Sequence, residues 1–165
     1  MIMKRTILLL IASAALFSSC KKELQDPGGT ATQKLAGEWW VQLFNPDGSL
    51  AYPADYYGHI LTYNTAANTN EIWVDDNGEI WDFKVKAQAD PNNLSFSATD
   101  ATSVVPGYGI KVSITDGKVL PLAAKSKTGN ATDSIYMKIE FEDDPGSVYT
   151  LRGHLRTGFL EDDYN

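Results

Sequence analysis

The sequence has few of the residues that build disulfides, zinc sites and nucleic-acid interfaces. It contains one cysteine, Cys20, and two histidines, His59 and His154, which excludes an internal disulfide framework and a Cys/His zinc site. Its 21 acidic residues outnumber its 14 basic residues, and the basic ones form no cluster, which argues against nucleic acid as a partner. From Leu35 onward, no stretch longer than ten residues has helical periodicity. The fold must therefore be stabilised by its core alone.

The acidic segments also lack the spacing of a metal site. The run 75–79 (DDNGE) resembles part of a calcium loop, but Trp73 occupies a position where an oxygen ligand is required. The acidic residues 143–144 and 161–163 are interpreted as solvated charge. We therefore expect no metal ion and no cofactor.

The N-terminus contains the longest apolar run of the chain. Lys4 and Arg5 precede the apolar residues 7–17, and the small residues 18–19 lead directly into Cys20. The run is too short to cross a bilayer as a mature helix, and its flanks are those of a secretory signal. The order resembles a lipobox, in which the cysteine is acylated and becomes the first residue of the mature protein. The alternative is an ordinary signal peptide with a coincidental cysteine.

These features divide the chain into three parts. Residues 1–19 are predicted as a lipoprotein signal peptide, residues 20–34 as a lipidated flexible tether, and residues 35–165 as one domain. Removal of the signal leaves a net charge of −9, which argues against electrostatic binding to anionic lipid. Membrane attachment would therefore depend on the acyl chains at Cys20. We expect a monomeric outer-membrane lipoprotein of the cell envelope, either periplasmic or surface-exposed.

Short apolar runs separated by turn residues are typical of strands. The alternation is clearest in residues 134–142, where Ile135, Met137, Ile139 and Phe141 share one face. Nine runs are predicted as strands, near 36–44, 57–66, 70–75, 79–88, 93–98, 108–115, 118–122, 134–142 and 148–159. Because nearly every long strand has one wet face, we predict an all-β fold, an antiparallel meander of about eight strands closed into a barrel. Closure removes the exposed edges of an open sheet.

Two dipeptides predict tight hairpins. Asn77-Gly78 suits a two-residue type I′ turn, in which both residues have positive φ. It would place Val74 opposite Trp81 and Ile72 opposite Phe83.

The second dipeptide, Asp116-Gly117, predicts another hairpin of the same kind. It would reverse the chain between Ile114 and Val119 and set these two residues opposite each other.

The first predicted strand contains a short family motif. Gly37 and Trp39 resemble the G-x-W motif that opens the first strand of calycin (lipocalin-like) barrels. The alternative is a core tryptophan such as any β protein has. The resemblance implies that Trp39 plugs the closed end of the barrel. It also implies that an arginine near the end of the last strand packs on the Trp39 ring, Arg156 in the first place and Arg152 in the second.

The lipobox, the short tether, the start L-x-G-x-W-x-V and the length of the domain together resemble one family. Its members are Gram-negative lipoproteins described as lipid-binding putative hydrolases, with a calycin-like fold. The resemblance implies a small apolar ligand in the barrel. Because the residues contain no recognisable catalytic motif, we expect this ligand to be bound without catalysis. The residues that we expect to contact it are Trp81, Phe83, Met137 and Tyr149.

Two other functions remain open. A hydrolase of an ester or glycan needs an activated nucleophile, and no G-x-S-x-G elbow occurs. Its catalytic candidates are His59 and His154, which would have to converge with Asp55 and a serine; otherwise both are ordinary histidines of the surface or of the wet face of their strands. A surface glycan-binding or assembly module is the third possibility, suggested by Trp40 and Trp73, which parity places on the outer faces of their strands.

Overall fold

The chain folds into a closed, eight-stranded antiparallel barrel. The computed structural model describes residues 28–164, so the predicted signal peptide and Cys20 lie outside the described residues. Each strand pairs with the next in sequence, and the last pairs with the first. The strands are β1 (Gly37–Phe44), β2 (Gly58–Asn64), β3 (Glu71–Asp75), β4 (Lys84–Asp90), β5 (Ser95–Thr102), β6 (Lys111–Lys125), β7 (Ala131–Phe141) and β8 (Tyr149–Leu155). The predicted all-β barrel is confirmed.

The helical structure within residues 28–164 consists of two 3₁₀ turns, at Gln33–Leu35 and Leu160–Asp162. No helix of this part of the chain is long and apolar enough to cross a membrane. The chain already packs against the barrel before β1, because Thr32 is fully buried and the Ala31 N–H donates to the Asn68 side chain.

The barrel interior is filled by the alternate side chains of its strands. On β7, the predicted apolar face is buried from Ile135 to Phe141, because successive strand residues point to opposite faces. The largest fully buried side chains come from six of the eight strands and from segments that flank them: Leu35, Trp39, Leu43, Ile60, Ile72, Phe83, Ile114, Ile135, Met137, Ile139, Phe141 and Leu151. Each contributes about 1.5–3 kcal/mol by leaving water.

Trp39 lies at the end of the barrel where β1 begins, which we call the closed end. Its side chain is only 1% exposed, as the motif predicts. The indole N–H donates to the Thr62 hydroxyl at 2.8 Å, and that hydroxyl donates to the Leu35 carbonyl at 2.6 Å. Gly37 is required beside it, because a Cβ there would lie 2.6 Å from the Leu155 side chain and 2.9 Å from the Trp39 ring.

The expected arginine contact on the Trp39 ring is not found among the cation–π contacts of residues 28–164. Arg156 instead uses its guanidinium to bind Glu38 and Asp163. Arg152 lies over the Phe44 ring at 4.0 Å. Both arginines therefore point to the outer side of the barrel, where Arg156 meets carboxylates and Arg152 meets the Phe44 ring, and neither packs on Trp39.

The predicted Asn77-Gly78 hairpin is wrong in register, although both residues have positive φ, +54° and +74°. β3 pairs with β4 so that Val74 lies opposite Val85 and Ile72 opposite Ala87. The connection is a loop over 76–83 rather than a two-residue turn. The reason is Asp76, whose buried carboxylate accepts five backbone N–H groups of this loop, those of Gly78, Ile80, Trp81, Asp82 and Phe83.

The predicted hairpin at Asp116-Gly117 is a bulge within the single long strand β6. Ile114 and Val119 do not face each other; they pair with Ile139 and Ile135 of β7. Asp116 has a φ of +53°, so the strand bends without reversing. Gly117 permits the close approach of β5, because a Cβ would lie 2.4 Å from the Phe96 carbonyl oxygen.

Candidate ligand-binding site at the barrel mouth

The mouth is the end of the barrel opposite Trp39, where four loops, 45–57, 76–83, 103–110 and 142–148, connect the strands. Four aromatic rings converge there, and we call them the mouth cluster: Trp81, Phe83, Phe141 and Tyr149. The Trp81 and Phe141 rings stack nearly parallel with centroids 4.3 Å apart. Tyr149 lies 5.2 Å from Trp81, and Phe83 lies 5.6 Å from Phe141. Such packing stabilises aromatic pairs beyond the area that they bury.

The mouth cluster runs from the core to the solvent. Phe83 and Phe141 are buried, Tyr149 is nearly so, and Trp81 is partly exposed. Exposed valines at positions 104 and 148 lie in the neighbouring mouth loops. Trp81 is therefore the outermost ring of a contiguous aromatic cluster that packs against the filled barrel interior.

Two carboxylates anchor the aromatic side chains at the mouth. The Trp81 indole N–H donates to Asp143 at 3.1 Å, and the Tyr108 hydroxyl donates to the same carboxylate. The Tyr149 hydroxyl donates to Asp144 at 2.5 Å. These bonds, that from Tyr108 first, hold the pKa of Asp143 below its usual value, and the bond to Asp144 raises the pKa of Tyr149. Both tyrosines thus remain neutral donors at neutral pH.

The backbone of the loop that carries Trp81 is firmly held. Besides the five bonds to the Asp76 carboxylate, two tyrosines of the first mouth loop bond to its carbonyls. The Tyr52 hydroxyl donates to Ile80 at 2.7 Å, and the Tyr56 hydroxyl donates to Glu79 at 2.6 Å. The loop therefore fixes the backbone position of Trp81. The indole itself is held by the stack on Phe141 and by one hydrogen bond.

Three of the four predicted ligand-contact residues meet at the mouth. Trp81, Phe83 and Tyr149 belong to the mouth cluster, whereas Met137 lies deeper, fully buried on β7 opposite Leu151. The prediction missed Phe141, the ring that links the other three. The alternation of β7 places Phe141 on the inner face, and Phe141 is the last residue of that strand. Together these two features of the sequence could have indicated that Phe141 lies at the mouth.

The two histidines lie together, but on the outer face of the barrel. Trp40 of β1 pairs with His59 of β2 on one side and with His154 of β8 on the other. Neither histidine faces the mouth cluster. Asp55 is exposed in the first mouth loop. Ser134 pairs with His154 across the strands, but its hydroxyl donates to the Gly153 carbonyl at 2.9 Å.

His154 lies on the outer face of β8, yet its side chain is only 6% exposed. The rings of Tyr57 and Tyr164 pack against it at 6.1 and 5.7 Å. This burial lowers the pKa of His154, against the opposing attraction of Asp162. No hydrogen bond between a serine and a histidine occurs in the described part of the chain, and no group of three or more His, Cys, Asp or Glu side chains there could hold a metal ion.

A closed eight-stranded antiparallel barrel of this kind fits the description of a calycin-like fold. The comparison with family models names the family. Residues 24–160 match the model described as lipid-binding putative hydrolase, and the chain belongs to this family. No curated protein matches the chain.

Proposed function

We propose that this protein is a monomeric lipoprotein of the cell envelope that binds a lipid or another small apolar ligand at the mouth cluster, without catalysis. The observation that carries the proposal is the Trp81–Phe141 stack. It joins a partly exposed ring to a buried one in a chain of a lipid-binding family. Such a cluster presents apolar surface at the mouth, which is what an acyl chain needs to contact.

Rotation of the Trp81 indole would open the mouth without moving the loop backbone. It breaks one hydrogen bond to a carboxylate, worth about 1.5–3 kcal/mol, and two aromatic contacts, with Phe141 and Tyr149, worth about 0.5–1.5 kcal/mol each. Each ligand methylene that leaves water contributes about 0.8 kcal/mol. An acyl chain that buries about eight methylenes against Phe141 and Tyr149 therefore offsets the opening.

The proposed anchor is the acylated Cys20, which precedes β1 in the sequence. β1 itself starts at the closed end of the barrel, away from the mouth cluster. Acylation is tested by membrane fractionation of the wild type and of Cys20→Ser in a bacterial host. We expect the variant either to leave the membrane fraction or to keep its uncleaved signal peptide. A cleaved variant with the distribution of the wild type would contradict the anchor.

The absence of catalysis is proposed because both histidines of the chain lie on the outer face, away from the mouth cluster. Hydrolysis of a short-chain ester is the direct test. The wild type should show no turnover above the rate in buffer. Turnover that His59→Ala or His154→Ala removes would show instead that the protein is a hydrolase.

Lipid binding is tested by native mass spectrometry of the mature Cys20→Ser protein mixed with palmitate. We expect one bound molecule, and affinity at least about tenfold weaker in Trp81→Glu, because a charge at the mouth opposes entry of the acyl chain. Trp73→Glu is the matched control, since Trp73 lies on the outer face of β3 beside Lys84 and Lys86. No adduct in the wild type, or equal binding by Trp81→Glu, contradicts the proposal.

A further inference from the structure

A second group of aromatic and polar side chains lies on the outer face of the barrel. Trp40 is its centre, with His59 and His154 beside it on the two neighbouring strands. The C-terminal segment 156–164 folds back over this row. Within that segment, the Tyr164 ring meets the Trp40 ring edge-on at 5.5 Å. As a result Trp40, although it points outward, is only 8% exposed.

An open cleft of about 460 Å³ lies between the C-terminal segment and the strands. We call it the outer-face cleft, and it is lined by Trp40, His59, Arg156, Leu160, Asp163 and Tyr164. Its volume is in the range of small-molecule sites. The Trp40 and His59 rings, 4.9 Å apart, form an aromatic wall, and Leu160 at the rim is 85% exposed.

The charges in the outer-face cleft are paired with one another. Arg156 donates two N–H groups to Asp163, at 2.8 and 2.6 Å, and a third to Glu38 at 2.9 Å. One guanidinium thus stands between two carboxylates. A cationic ligand would find its place occupied by Arg156, and an anionic ligand would meet an excess of negative charge. The arrangement favours a neutral ligand that makes hydrogen bonds.

Two buried polar atoms of the cleft have no hydrogen-bond partner among the described residues, the Nε1 of Trp40 and the Nε2 of His59. The pKa of Asp163 is lowered first by the hydrogen bonds from Arg156, and the nearby Trp40 N–H adds to this lowering although it falls short of hydrogen-bond geometry. The His59 Nε2 lies 3.5 Å from Glu38 Oε2. A hydroxyl group can accept from an N–H and donate to a carboxylate at the same time.

We propose that the outer-face cleft binds a neutral sugar. One hydroxyl of the sugar bridges Trp40 and Asp163, and a neighbouring hydroxyl bridges His59 and Glu38. The apolar face of the pyranose ring packs on the aromatic wall, and Leu160 borders it. Vicinal hydroxyls on a ring supply paired donors and acceptors at the spacing that two such bridges need. This site lies apart from the mouth cluster, and the inference does not depend on lipid binding.

The test is a titration of the mature Cys20→Ser protein with methyl β-glucopyranoside, methyl α-mannopyranoside and N-acetylglucosamine, followed by NMR of the four indole N–H signals. We expect at least one of these neutral sugars to shift the Trp40 signal saturably. Trp40→Phe, which keeps a ring but removes the N–H, should weaken binding about tenfold. Trp73→Phe is the control on another part of the outer face and should bind as the wild type does.

Asp163→Asn provides a second variant that leaves Trp40 in place, and it should also weaken binding about tenfold. If Trp40→Phe fails to fold, Asp163→Asn alone tests whether the outer-face cleft binds the sugar. The proposal is overturned if no neutral sugar shifts the Trp40 signal at several tens of millimolar, or if both variants bind as tightly as the wild type. Tighter binding of glucuronate or of glucosamine would likewise overturn it, because the site would then select charge.

Discussion

The Asp76 carboxylate accepts the backbone N–H of Phe83 at 2.8 Å, while the Asp76 N–H donates to the Phe83 carbonyl at 3.1 Å. This double contact joins the two ends of the loop between β3 and β4. The same carboxylate binds four further N–H groups within the loop. One buried side chain thus replaces the inter-strand hydrogen bonds of a tight hairpin. It also holds Trp81 and Phe83 at the mouth.

Asp76→Asn should lower the free energy of unfolding by about 2–4 kcal/mol. The amide has one acceptor oxygen instead of two, so two or three of the five N–H groups lose their acceptor, and all five lose a charged partner. Urea unfolding measures the change. The matched control is Asp82→Asn, an exposed position in the same loop with a φ of +59°, where we expect less than about 0.5 kcal/mol. Equal effects of the two substitutions would contradict this role of Asp76.

Gly153→Ala should destabilise the barrel by at least about 2 kcal/mol. β8 is held on both sides at this position, by Val41 of β1 and Ile135 of β7. An added Cβ would lie 1.9 Å from the Trp40 carbonyl oxygen, so a strand must move. Gly109→Ala serves as the control, because its Cβ would have only ordinary contacts, the nearest at 3.7 Å. Thermal unfolding that shows no difference between the two variants would refute the close approach.

Trp39→Ala should lower the free energy of unfolding by about 3–5 kcal/mol, the usual range for a buried tryptophan. It also leaves the Thr62 hydroxyl without a donor. Trp40→Ala should have a smaller effect, because Trp40 is covered by the C-terminal segment instead of the core. Denaturant unfolding of both variants compares them. If Trp40→Ala is the more damaging, the inner position of Trp39 is not what stabilises the closed end.

Burial of His154 should make the fold more stable at neutral pH than in mild acid. Because the pKa of His154 is lowered in the fold, the unfolded chain binds the proton first as the pH falls through about 6.5. The stabilisation is therefore present above that pH and is lost below it. We expect the free energy of unfolding of the wild type, taken relative to that of His154→Phe and measured with urea, to fall from pH 7.5 to pH 5.5. A constant difference would show that the His154 pKa is not lowered.

The strand pattern could be predicted from the sequence where alternation is a local property. β1, β2, β3 and β7 lie close to their predicted positions, and the inner faces of β1 and β7 are the ones that parity indicates. Positive φ at Asn77 and Asp116 also follows from residue type, since short polar side chains tolerate that conformation. What the chain does after such a residue was not predictable, because a hairpin, a long loop and a bulge all begin in the same way.

The sequence by itself thus determined the all-β barrel, the burial of Trp39 and the family, because each follows from neighbours in the chain. The tertiary structure decided the loop around Asp76, the bulge at Gly117 and the partners of Arg156. It also decided that His154 is buried, since the covering ring of Tyr164 belongs to the C-terminal segment. These features depend on contacts between residues far apart in sequence, and alternation along one strand carries no information about which distant side chain will cover it.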